Sequence, residues 1–165
     1  MARTEQLVFR PEEPGEVLAL MARLEEDGGW LNLSPVPDEE TAAPRRQWLP
    51  HLFDLLLDAG PDVPVCTWVP ANGATGKRSS RGAPTTSIGV QHPSGQRAIE
   101  RLRQAGIDPP GGWRVDQDHP RRGLVLSAPA GGDHRVTLEW LVRAGEFLSL
   151  GPPARSWVAT AHRRR

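Results

Sequence analysis

From Thr85 to Arg165 the chain carries strand and helix signals in the order strand, helix, strand, strand, helix, strand, and no other feature limits its fold as much. Thr85 to Gln91 reads as a strand that breaks at His92-Pro93-Ser94, where Ser94 is the candidate N-cap of a helix with the apolar stripe Ala98, Ile99, Leu102 and Ala105. Gly106 stands where a left-handed C-cap belongs, and Pro109-Pro110-Gly111-Gly112 forces a turn. Trp113 and Val115 then alternate with Arg114 and Asp116, the chain turns between Asp118 and Gly123, and Leu124 to Ala128 returns as the apolar half of a hairpin. Asp133 caps a last helix whose residues Val136, Leu138, Trp140, Leu141, Val142, Phe147 and Leu148 predict deep burial. Gly151-Pro152-Pro153 stops it, and Ser156 to Ala161 forms a final strand.

The first half is less regular. After a short apolar start, Val17, Leu18, Leu20, Met21 and Leu24 recur at helical spacing until Asp27-Gly28-Gly29, and Trp30 to Leu33 alternates like a short strand. Ser34 to Arg46, rich in proline and acids, reads as loop, Trp48 to Leu57 as a second helix around His51 and Asp54, and Val63 to Val69 as a strand. Pro70 to Pro84 has the composition of a solvated loop. A chain of 165 residues is long enough to bury one core without disulfides, so a single α+β domain over 1–165 is expected, with 1–62 as an N-terminal helical extension and 85–162 as its βαββαβ core.

That core resembles a ferredoxin-like sandwich, four antiparallel strands with two helices on one side. The resemblance implies a third strand lying between the first and second, which would bring His92 to within about 10 Å of Asp118 and His119 across one intervening strand. Counted instead from the helix at 16–26, the elements up to residue 149 run αβββαββα and resemble the secretion-chaperone-like fold. This second resemblance implies a dimeric protein-binding module, from which the strand at 156 departs.

Formal net charge is zero, yet residues 1–84 carry 8 basic and 13 acidic side chains while residues 85–165 carry 12 and 7. Opposite net charges of five on the two halves would steer a partner, or would cancel where one half covers the other. Cys66 is the only cysteine, which excludes an intrachain disulfide and favours a reducing cytoplasm. Its place in Val63-Pro-Val-Cys-Thr-Trp-Val69 is that of a packed small side chain rather than a catalytic thiol. No stretch approaches the roughly 18 apolar residues of a membrane helix, and the amino terminus lacks a signal-peptide pattern.

Two clusters invite a chemical reading. His92, Asp116, Asp118 and His119, with Arg121 and Arg122 beside them, supply oxygen and imidazole groups for proton transfer or a divalent metal; the same residues also suit an ordinary turn in which the arginines neutralise the carboxylates. His92-Pro-Ser94 matches half of the paired His-x-Ser/Thr motif of two-histidine phosphoesterases, but His134-Arg-Val136 lacks the second hydroxyl. The loop Ala71 to Ser79 imitates a phosphate-binding loop, with Lys77, Arg78 and Arg81 as candidate anion contacts, although Ala71 replaces its first glycine and Arg78 its magnesium-holding hydroxyl.

Thr85 to Gln91 and Gly123 to Ala128 contain no aromatics, so the stacking platform of an RNA-recognition sheet is missing and nucleic acid is not the expected partner. Six tryptophans spread along the chain offer packing groups or, where exposed, anchors for a protein partner. The expectation is a cytoplasmic, non-enzymatic binding or adaptor protein, forming a homodimer and needing no cofactor or metal. The alternatives are a metal-assisted or acid-base hydrolase using His92, Asp116, Asp118 and His119, and a nucleic-acid accessory factor using the terminal arginines.

Overall fold

The computed structural model describes residues 3–36, 64–71 and 83–163. The elements in chain order are β1 (Arg3–Phe9), α1 (Gly15–Asp27), β2 (Trp30–Val36), β3 (Val65–Val69), β4 (Thr85–Gln91), α2 (Ala98–Gln104), β5 (Arg114–His119), β6 (Gly123–Pro129), α3 (His134–Leu148) and β7 (Ser156–Arg163). The strands form one antiparallel sheet in the order β1-β7-β2-β3-β4-β6-β5. Among the described residues, no helix is long and apolar enough to cross a membrane. The predicted helix over Trp48–Leu57, the residues Lys77, Arg78 and Arg81, and the terminal Arg164 and Arg165 lie outside the described residues.

Alternation sorts the strand residues onto two faces. Leu7, Ala159, Leu33, Cys66, Val90 and Leu124 stand opposite one another in consecutive strands and form one row across the sheet, which ends at Asp118. Five of those apolar residues are fully buried, and the helices cover them with Val17, Leu20, Met21 and Leu24 of α1, Leu102 of α2, and Leu138, Leu141 and Leu148 of α3. The neighbouring row on the other face is polar at most positions and runs Gln6, Thr160, Asn32, Thr67, Gly89, Val125, Gln117. Within it Thr67 donates to Asn32 at 3.1 Å.

The expected hairpin forms, and β6 lies between β4 and β5, as a split βαβ unit requires. A ferredoxin-like closure would set the last strand beside β4. Instead β3 and β2 follow β4, and β7 lies between β2 and β1. From α1 to α3 the elements run αβββαββα, with β1 and β7 paired to each other at one side of the sheet. β1 had no strand signature, because Leu7, Val8 and Phe9 follow one another without alternation; pairing with β7 over its whole length decides its conformation.

The helix ends show where local rules suffice. Asp133 accepts the N–H groups of Arg135 at 2.8 Å and Val136 at 3.2 Å, so the predicted cap is in place. Gly106 adopts φ 72°, and Ile107 N–H returns to the Leu102 carbonyl at 2.8 Å, closing α2 as a left-handed glycine cap. Ser94 does not cap α2. The helix starts later, at Ala98, and its first amides reach Asp118 of β5 instead. α3 is buried along one side, whereas Val136 and Phe147 are exposed, so its burial is less complete than its composition predicts.

Candidate functional site

His92 follows β4 directly and is buried. Its Nδ1 lies 3.0 Å from Ser94 Oγ, while its Nε2 has no hydrogen-bond partner among the described residues. Burial lowers its pKa, the nearby Asp118 carboxylate opposes that shift, and Arg101 adds to it. Arg101 is held by the Ser94 carbonyl at 2.6 Å and lies over the Phe147 ring. Asp118 accepts from Ala98 N at 3.2 Å and Ile99 N at 3.0 Å, and so both its oxygens serve the start of α2.

The remaining members of the predicted cluster are turned elsewhere. Asp116 lies at an irregularity between Val115 and Gln117 and takes hydrogen bonds from Arg114 Nε at 3.0 Å and Ser127 Oγ at 3.3 Å, on the face away from the helices. His119 Nδ1 accepts the N–H groups of Arg121 and Arg122, which closes the β5–β6 turn. The Arg121 and Arg122 side chains are exposed. His92 and Asp118 therefore share the helix side of the sheet, and the sheet separates them from Asp116 and His119. Among the described residues, no three His, Cys, Asp or Glu side chains gather into a group able to hold a metal ion.

A second constellation combines residues that no sequence motif linked. Glu25, in the last turns of α1, and His134, the first residue of α3, meet at 2.9 Å between Oε2 and Nε2. Asp133 sets the position of His134 by capping α3, and the Trp68 indole of β3 supports the imidazole edge to face, with centroids 5.5 Å apart. Trp113, just before β5, packs edge to face on Trp140 of α3 at 5.2 Å. Together Glu25, Trp68, Trp113, Asp133 and His134 line a cleft of about 200 Å³ that opens to solvent, and the exposed Val136 borders it.

The pair is 109 residues apart in sequence. His134 drew attention only as a failed second copy of the His-x-Ser motif. Its one relevant local signal was its position directly after the Asp133 cap, which places a side chain at the exposed start of a helix. The approach of α1 to α3 supplies the rest. No protein-family model, no curated protein and no solved structure matches this chain.

Proposed function

We propose that the protein acts by binding a protein partner, which inserts a side chain into the cleft between the end of α1 and the start of α3. The observation that carries this reading is the cleft itself: two indoles and the Glu25–His134 pair recessed beside the exposed Val136. Its volume of about 200 Å³ is small beside the roughly 300–1,000 Å³ of clefts that enclose whole drug-sized ligands, and suits a single projecting group. Recessed aromatic residues are the usual anchor points of protein interfaces.

The element order from α1 to α3 adds support, since it is the order of the secretion-chaperone-like fold, whose resemblance implies a dimeric protein-binding module. A homodimer and a cytoplasmic setting, consistent with the buried free thiol of Cys66, belong to the same proposal. The acid-base alternative has less support, because Asp118 is committed to backbone amides and Asp116 and His119 lie across the sheet from His92.

Affinity capture from native cell extract tests the reading with three full-length proteins. The wild type should retain a partner that Val136→Glu loses and that Gln117→Ala, on the opposite face, keeps. A partner retained equally by all three would show that the cleft is not the docking site.

A further inference from the structure

We infer that β1 is the edge at which two copies of this chain associate, each adding its β1 antiparallel to that of the other, an inference that rests on the homodimer included in the binding reading above. Among the described residues β1 and β5 bound the sheet, and each presents a row of backbone N–H and C=O groups that no neighbouring strand takes. The two edges are built differently. β5 is interrupted by the irregularity between Val115 and Gln117, carries Arg114, Asp116 and Asp118, and commits Asp118 to the first amides of α2. Bulges and edge charges are the devices that keep a strand from recruiting another. β1 instead pairs with β7 over its whole length without a register shift, contains no proline, and exposes Thr4, Gln6 and Val8, with Val8 64% exposed.

Alternation restricts how two copies can meet. A two-fold axis normal to the sheet makes the two β1 strands antiparallel and sets each side chain opposite one from the same face, so the helices of both copies stay on one side. Centring that axis on Glu5 would place like charges directly opposite each other, which destabilises a strand pair. Centring it on Gln6 pairs the entire strand: Gln6 meets Gln6, Glu5 meets Leu7, and Thr4 meets Val8.

The side chains suit this register. Glu5 is already engaged within its own copy, by Arg23 at 3.1 Å on one oxygen and Arg163 at 3.2 Å on the other, so no uncompensated carboxylate enters the new ladder. Thr4 against Val8 matches two β-branched side chains and covers the exposed valine on the face away from the helices. β1 thus supplies its own complement, and the partner it fits is a second copy. A single added strand makes an interface at the small end of the range, so the dimer should dissociate with a constant on the order of micromolar.

Sedimentation equilibrium of the full chain, from about 1 to about 200 µM, tests this. The wild type should pass from monomer to dimer. Gln6→Lys sets two cations opposite each other at the axis and should raise the dissociation constant about fivefold, as should Gln6→Glu with two anions. An equimolar mixture of these two variants should recover association, because opposite charges then meet at the axis. Gln117→Lys, on β5, should leave the equilibrium unchanged.

A dimer indifferent to both Gln6 substitutions, or weakened by both without recovery in the mixture, would overturn self-pairing of β1 while leaving the homodimer in place. A wild type that stays monomeric over the whole concentration range would overturn both the edge and the homodimer.

Discussion

The Asp118 carboxylate, at the end of an otherwise apolar row across the sheet, accepts the backbone N–H of Ile99 at 3.0 Å and thereby ties β5 to the first turn of α2. Its other oxygen takes Ala98 N–H at 3.2 Å. α2 has only seven residues, and Arg97, directly before it, sits in the left-handed region at φ 58°, so the helix start depends on a cap supplied from another element.

Asp118→Ala should therefore destabilise the fold by about 1–2 kcal/mol, with Asp118→Asn losing less than half as much because its amide oxygen still accepts one N–H. Urea unfolding monitored by circular dichroism measures both. Equal stability of all three proteins would mean that these hydrogen bonds contribute little.

Gly145 lets α3 approach the sheet. A Cβ there would stand 2.9 Å from both Cys66 Sγ and the Trp157 ring, and both residues are fully buried. On an exposed helix, replacing glycine by alanine gains about 1 kcal/mol of helix propensity, whereas overpacking a core costs about 1–3 kcal/mol. Gly145→Ala should consequently lower the thermal midpoint, and Gly145→Val should lower it further. A raised midpoint for the alanine variant would show that α3 can shift away without loss.

Burial depresses the pKa of His92 and of His162, the latter stacked on Trp30 with ring centroids 4.8 Å apart. In the unfolded chain both should titrate near the ordinary value of about 6.5. As pH falls through that value, the unfolded state takes up protons that the folded state resists, so stability is complete above the unfolded pKa and declines below it. The urea midpoint should drop between pH 7.5 and pH 5.5, and the His92→Asn/His162→Asn double variant should show a shallower drop. An identical pH profile for the double variant would assign the decline to other groups.

Cys66 Sγ donates to the Leu141 carbonyl at 3.4 Å inside the core, and burial pushes its pKa up to about 12. The thiolate is the reactive species, so the native protein should resist alkylation by iodoacetamide at pH 8 and react only in denaturant. Fast labelling without denaturant, followed by mass spectrometry, would contradict this burial.

Local chemistry was enough to identify the capped start of α3 at Asp133, the glycine end of α2 at Gly106, and the apolar strand Leu124 to Ala128 of the hairpin, because each depends on residues within a few positions of one another. Ser94 misled for a related reason: a hydroxyl after a strand satisfies the pattern of a cap, yet here it lies beside His92 while Asp118, twenty residues beyond Ala98, provides the bond.

Strand order and the cleft depended on tertiary structure. Any strand edge offers equivalent N–H and C=O groups, so hydrogen bonding alone cannot decide that β2 and β3, rather than β7, follow β4. That choice comes from matching whole apolar rows under three helices, a long-range packing condition. The same packing brings Glu25 to His134 and places Trp68 and Trp113 around them. Residue types and periodicity thus determined which segments become helix or strand, and the assembly of distant elements decided which side chains share a site.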